Sequence, residues 1–363
     1  MKSFGHMYNF CISDENRKKA VHDAYRSDRI KWAFRENYLT YNDAIIESKN
    51  WIRDYENEDH KIVIIREGAK NKERKIIVPS FKELVVQHCV VNAMKPMFMC
   101  GMYEHSYASI PKRGTHKAKK VIEKWIKKDS ENTRYCLKMD IRHFFESIPH
   151  NILKAKLEKK VKDIYILDLL FKIIDTTEIG LPLGFYTSQW LANWYLQDLD
   201  HFIKEKLHAK YYARYMDDMV IFGSSSEELH TMRILISDYL SAAFGLNLKS
   251  DWQVFRFSYG GDKGRVLDFM GFRFYNNRTT LRKAIMLKAT RKAKRISKKE
   301  RITTFDARQM LSYRGYLKVT NTYNLYLRYI KPYVSFKNLT NMISRTDNKS
   351  DRHIYQKFIS LYS

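Results

Sequence analysis

Apolar residues recur along this chain in two rhythms, and the places where the rhythm changes mark its elements. Residues 1–60 carry Trp32, Phe34, Tyr38, Trp51 and Ile52 at intervals within polar surroundings, which predicts a helical N-terminal extension. Glu56-Asn57-Glu58-Asp59 interrupts it. Two β-branched runs follow, Ile62-Val63-Ile64-Ile65 and Ile76-Ile77-Val78. Gly68 and Asn71 lie between them and Pro79 closes the second, so the pair reads as a hairpin. A long apolar run then predicts a helix to about Met99. Its window Val85–Met102 contains Gln87, His88, Asn92 and Lys95, which would be costly in a bilayer, so it reads as a buried helix.

From 134 to 240 short strand-like and longer helical patterns alternate. Tyr135–Ile141 and Tyr211–Gly223 read as strands, and 151–174, about 187–206 and 226–243 read as helices. This order predicts an α+β domain with a small, mainly antiparallel sheet. Residues 263–277 read as another hairpin. Residues 281–301 contain ten Lys or Arg against one acid, Glu300. Leu281, Ile285, Ala289, Ala293 and Ile296 recur there at helical spacing, so a narrow apolar stripe backs a basic face. The remainder to 363 reads as helical and tyrosine-rich, with residues 313, 316, 323, 326, 329 and 333 all Tyr.

Composition narrows the partner. The 363 residues carry 66 Lys and Arg against 40 Asp and Glu, a formal charge of +26, with 44% hydrophobic residues. Such a chain has apolar surface enough to fold, and its charge favours a long polyanion over a small metabolite. Cys11, Cys89, Cys100 and Cys136 form no C-x-x-C pair, which argues against a zinc knuckle and fits a reducing cytoplasm. The N-terminus lacks a secretory pattern, so a cytoplasmic protein with no membrane partner is expected.

Tyr215-Met216-Asp217-Asp218 is the most informative tetrapeptide. Two acids interrupt an apolar β run, where adjacent carboxylates repel and lose hydration unless a cation offsets them. Asp140 ends another apolar strand. Strand-end carboxylates brought side by side can hold two Mg²⁺ about 3.5–4 Å apart. The plain alternative is a polar hairpin turn and an unrelated helix cap.

At this point the sequence resembles the reverse transcriptases, from about Arg74 to Tyr316 and with the motifs in the family's order. The resemblance implies a right-hand polymerase with fingers, an antiparallel palm sheet and a helical thumb. On it, 61–133 are fingers, 134–262 palm (with part of the fingers in 151–186), 263–280 a primer-grip hairpin and 281–363 the thumb and C-terminal helices. It implies that Asp140, Asp217 and Asp218 bind the two metal ions, Mg²⁺ with Mn²⁺ as a substitute, helped by the backbone carbonyl of Ile141. Phe145 matches the steric gate that leaves no room for a 2′-hydroxyl. Arg74 matches a cation on the incoming triphosphate, with Lys72 and Lys70 of the preceding loop behind it. Lys249 matches a lysine near the leaving pyrophosphate, a general-acid position.

Other blocks match with differences. Where many members carry Arg before a proline, this chain has Ile110-Pro111, which shifts a phosphate contact towards Lys112 or Arg113. Most members read Gln-Gly-x-x-x-Ser-Pro where this chain reads Leu183-Gly184-x-x-x-Ser188-Gln189. An apolar residue before the glycine and Gln after the serine look like the enzymes of diversity-generating retroelements, which misincorporate opposite template adenines. Some phage-defence reverse transcriptases share Ser-Gln. The resemblance further implies primer or template contacts by Tyr215 and Met216. It implies the same for the aromatic turn Phe269-Met270-Gly271, and for Arg282, Lys283, Lys288, Arg291, Lys292 and Arg295 of the basic helix. Implied partners are a structured noncoding template RNA, the RNA/cDNA hybrid, dNTPs and a small helical pentameric accessory protein. No ribonuclease H, His-Asn-His nuclease or maturase pattern is found, which points away from a retroviral enzyme and from a complete mobile-intron protein.

Overall fold

The computed structural model describes residues 4–25, 40–67, 72–259 and 264–345. Trp32, Phe34, Tyr38, Gly68, Lys70 and Asn71 lie outside the described residues, as does the chain beyond 345. The chain divides into two compact units. The first comprises Met1–Ala118 and Glu131–Arg256, the second Lys119–Ser130 and Phe257–Ser363.

The first unit is organised around the helix Phe81–Met99, on which the helices Asp14–Tyr25, Tyr41–Arg53 and Tyr186–Tyr195 pack. That helix has buried residues on every side, with Val85, Val86, Cys89, Val90 and Met94 all inaccessible to solvent, so it is enclosed. Ser80 and Glu83 start it with a reciprocal capping box. The expected hairpin is present: β1 (Lys61–Glu67) pairs antiparallel with β2 (Lys72–Val78), placing Arg74 opposite Ile65.

The central sheet has four antiparallel strands in the order β4-β5-β3-β6. They are β3 (Tyr135–Asp140), β4 (Tyr211–Tyr215), β5 (Asp218–Gly223) and β6 (Gln253–Arg256). The helix Ser226–Phe244 packs on β3, β5 and β6. It ends at Gly245, whose φ of 62° lets the chain reverse.

Two long helical expectations divide. Residues 151–174 form His150–Lys160 and Ile164–Ile174. Between them the backbone is extended at Val161, because Phe4 takes its hydrogen bonds: Phe4 N–H donates to Lys160 O at 3.0 Å and Lys162 N–H to Phe4 O at 2.8 Å. Residues 187–206 form Tyr186–Tyr195, Gln197–His201 and a π-turn, Phe202–Lys206.

In the second unit, β7 (Leu267–Phe269), β8 (Phe272–Phe274) and β9 (Thr279–Leu281) form an antiparallel meander. The helices Lys283–Ser297, Thr304–Lys318 and Tyr323–Tyr329 follow, and residues 336–345 are helical as well. Their core joins Met286, Ala289, Ala293 and Ile296 to Ala307, Met310, Leu317 and Ile330. The apolar stripe of the basic helix is thus largely as spaced in the sequence, except that Leu281 lies in β9.

Candidate active site

The three singled-out carboxylates come together at one end of the central sheet. Asp140, last residue of β3, lies directly across the ladder from Asp218, first residue of β5. Tyr215 pairs with Asp218 from the other side, so Met216-Asp217 is the two-residue turn joining β4 to β5. Met216 takes a φ of 58°, a left-handed value disfavoured for its side chain. One backbone bond fastens the turn and a second fastens the end of β3. Ile141 N–H donates to Asp217 O at 3.3 Å, and Lys249 N–H to Asp140 O at 2.8 Å.

Beneath the turn lies a network that the sequence reading did not single out. Arg214 is fully buried and grips fully buried Asp200, Nε to Oδ1 at 2.7 Å and Nη2 to Oδ2 at 2.5 Å. Its Nη1 donates to the carbonyl of Met216 at 3.1 Å, and Tyr212 Oη donates to Asp200 Oδ1 at 2.7 Å. A cation inside the apolar run Tyr211–Phe222 was the available signal. A buried charge must be paired, so Arg214 required a carboxylate elsewhere in the fold.

Three acids in close quarters have an electrostatic consequence. Burial, then the charge of Asp140, pushes the Asp217 carboxyl up to about 6, while Lys249 and Arg74 act in the opposite direction. Lys249 Nζ contacts the Asp140 carboxylate, and Lys138 Nζ lies 3.9 Å from Asp218 Oδ1. Positive charge already gathers where the carboxylates meet, and the donors are hard oxygens. Among the described residues no three His, Cys, Asp or Glu side chains form a self-contained metal cage. Mg²⁺ keeps several waters and shares substrate phosphates, so one or two carboxylates beside a backbone carbonyl suit it without such a cage. The residues that could hold it are Asp140, Asp217, Asp218 and the carbonyl of Ile141.

The carboxylates face a cleft of about 560 Å³. Arg74, Phe145, Leu183, Gly184, Gln189, Tyr215, Met216 and Lys249 line it as well, so the structure brings these sequence-chosen residues together. Phe144, the neighbouring ring, is 2% exposed and belongs to the core, whereas Phe145 is only partly buried. One glycine lets the cleft wall form. Gly184 has φ 114°, and a Cβ there would lie 2.1 Å from the carbonyl oxygen of Ile77. Thus Gly184 admits the backbone of β2. Ile77 N–H donates to Leu183 O at 2.7 Å, and Leu181 N–H donates to Phe145 O at 2.6 Å. Lys70 and the side chain of Lys72 lie outside the described residues. Arg113 serves a local role, donating to the carbonyls of Tyr103 and Ser106.

The remaining predicted contacts belong to the second unit. Met270-Gly271 forms the β7–β8 turn, with φ of 51° and 84°. Phe269 is completely buried, so its ring is core, a correction to the contact expected of it, and Met270 and Gly271 of the turn are buried as well. Lys283, Lys288, Arg291 and Arg295 are exposed. Lys292 is not: it faces inward, its Nζ 2.8 Å from Asp306 Oδ1, because position 292 falls on the apolar stripe three residues after Ala289. That ion pair corrects the expected phosphate contact. Arg282 pairs with Asp268.

A carboxylate triad at the edge of an antiparallel sheet, beside a helix-walled cleft, defines a polymerase palm, and comparison with known proteins places it. Residues 64–274 match the family model for reverse transcriptase (RNA-dependent DNA polymerase). That is more than half of the chain, which therefore belongs to the reverse transcriptase family, with the α+β right-hand polymerase fold. It is 24% identical over 149 residues to protein YkfC of Escherichia coli strain K12, covering 38% of this chain and 39% of that protein. It is 27% identical over 153 residues to the group II intron-encoded protein LtrA of Lactococcus lactis subsp. cremoris, covering 39% and 25%. It is 27% identical over 161 residues to the retron Ec73 reverse transcriptase of Escherichia coli, covering 41% and 48%. The match thus spans less than half of each of these relatives. Among solved structures, a telomerase from Candida tropicalis in complex with a fragment of telomeric RNA aligns with TM-score 0.49 and 13% identity, covering 88% of this chain and 59% of that one. Among the described residues no helix is long and apolar enough to cross a membrane.

Proposed function

We propose that the chain is an RNA-directed DNA polymerase that copies a structured noncoding RNA into cDNA. The observation that carries this reading is Asp140 set across the ladder from Asp218, with Asp217 on the adjoining turn, in a cleft that also contains Arg74 and Phe145. Asp140, Asp217 and Asp218, with the Ile141 carbonyl, would hold two Mg²⁺ or Mn²⁺ ions. Such ions supply positive charge at the attacking and leaving oxygens of nucleotidyl transfer. The chain's own groups do the rest. Arg74 grips two oxygens of the incoming triphosphate through its planar guanidinium. Phe145 occupies the space a 2′-hydroxyl would need. Lys249, held at Asp140, stands where a proton can pass to departing pyrophosphate. The partners are dNTPs, the template RNA and the RNA/cDNA hybrid. Residues 61–133 serve as fingers, 134–262 as palm, 263–280 as primer grip and 281–363 as thumb.

The finer reading is adenine-mutagenic synthesis in a diversity-generating retroelement, with a small helical pentameric accessory protein as partner. It rests on Leu183 and Gln189, both on the cleft wall. An apolar side chain at 183 gives the nucleotide fewer specific hydrogen bonds, so a mispair strands fewer buried polar groups. Sequencing cDNA made on a defined RNA tests it: substitutions concentrate at template adenines, and faithful copying of adenines rejects the reading. A second reading, a phage-defence enzyme making cDNA from its own noncoding RNA, rests on Ser188-Gln189, which some phage-defence reverse transcriptases share. A neighbouring pair of repeats differing at adenines favours the first, and infection-dependent cDNA synthesis without such repeats favours the second.

A further inference from the structure

The second unit contains a cavity of about 510 Å³ that the mechanism above does not use. Its floor is apolar, formed by buried Leu317, Val334 and Phe336. One side is a series of rings. Tyr326 and Phe336 stack with centroids 5.7 Å apart and planes 14° from parallel. Tyr323 continues outward, its centroid 6.2 Å from that of Tyr326, and remains 66% exposed. The rim is basic. Lys318, Lys331 and Lys337 are exposed there, and no Asp or Glu lines the cavity. Among the described residues no carboxylate pairs with these three lysines.

Rings leading to an apolar floor, under a rim of ammonium groups, suit a flat heteroaromatic ring that carries a phosphate. An unpaired nucleotide has that combination: each base offers a π-face to tyrosine, and its flanking phosphates meet the lysines. A duplex keeps its base faces stacked on one another and would engage only the rim. The cavity volume falls within the range of about 300–1,000 Å³ usual for sites of small-molecule size. We propose that this cavity holds one unpaired nucleotide of a single-stranded nucleic acid, separately from the polymerising cleft. The proposal rests on the reading of the chain as an enzyme that works on nucleic acid, and its test does not require synthesis.

The full chain is photo-crosslinked, without dNTPs, to a 12-nucleotide RNA containing 4-thiouridine and to a DNA of the same length containing 4-thiothymidine. Adducts are mapped by peptide sequencing and affinities measured by anisotropy. Adducts on Tyr323, Tyr326 or Phe336 are expected, and the strand giving the higher yield identifies the natural source. Tyr323→Ala weakens single-strand binding roughly fivefold to hundredfold and leaves blunt-duplex binding unchanged. The double variant Lys331→Glu, Lys337→Glu weakens it and makes its salt dependence shallower. All three side chains are exposed, so these variants retain the fold, which an unchanged melting curve verifies. Unchanged affinity in both variants, or adducts confined to other segments, overturns the proposal. So does equal displacement of the strand by an acidic tyrosine-containing peptide, which would make the cavity a peptide site. Synthesis is scored separately. Adducts here without DNA synthesis sink the polymerase reading alone, and synthesis without adducts here sinks the cavity alone.

Discussion

Arg214 and Asp200 form a two-point ion pair, at 2.7 and 2.5 Å, with both side chains wholly out of solvent, directly beneath the Met216-Asp217 turn. Because Arg214 also donates to the Met216 carbonyl, the pair sets where the turn sits. Removing one partner strands a buried charge, at a cost of about 3–5 kcal/mol. Arg214→Met is therefore expected to lower the free energy of unfolding by that amount in urea titrations. Arg214→Lys keeps the charge but loses the fork and should fall between the two.

The Gly184 contact gives a sharper steric expectation. Its φ of 114° is unfavourable for any side chain, and the obstructing atom is the Ile77 carbonyl, which a rotamer change cannot move. Gly184→Ala should cost at least about 2 kcal/mol and reduce DNA synthesis, since it pushes the Leu183 loop away from β2. Gly5→Ala, with nothing within 4 Å of the added carbon, should be nearly silent in the same assay.

On its proposed role, Phe145 discriminates against ribonucleotides by volume alone. Phe145→Val should lower the ratio of kcat/KM for a dNTP over its rNTP roughly tenfold to hundredfold, with less effect on dNTP incorporation. Single-nucleotide extension measures it. An unchanged ratio would assign the ring to packing, beside Phe144.

Acid should weaken the first unit through His88. Burial pushes its imidazole down from 6.5 to about 4, and its ring stacks on Tyr186 with centroids 4.3 Å apart. Between those pH values the unfolded chain binds a proton that the folded chain does not, so stability rises with pH across the window. The contribution is complete above about pH 6.5 and is lost as pH falls towards 4. Lowering the pH from 7 to 5 should cost about 2 kcal/mol through this residue. Urea titrations of wild type and His88→Phe check it, because the variant lacks this part of the slope.

The site was legible where chemistry conflicts with pattern. Asp140, Asp217 and Asp218 stood out because acids at the ends of apolar strands need a reason, and the fold places them around one cleft. Residues whose meaning depends on a distant partner were not legible. Arg214 is conspicuous within its strand, but nothing local points to Asp200 on another element. Lys292 reads as one more cation of a basic helix until the helix phase and Asp306 turn it inward. The breaks at 161 and 196 were missed because both flanking segments are apolar, and the cause at 161 is a tertiary pairing with Phe4. Strand β6 was missed because four residues with only Phe255 buried carry no clear alternation.

The most direct test of the account is template-dependent incorporation of labelled dNTPs by the double variant Asp217→Asn, Asp218→Asn, alongside RNA binding by the same protein. DNA synthesis should fall to background in Mg²⁺ and in Mn²⁺ while RNA affinity stays within about twofold of wild type. Synthesis near the wild-type rate in that variant would contradict the assignment of the three carboxylates.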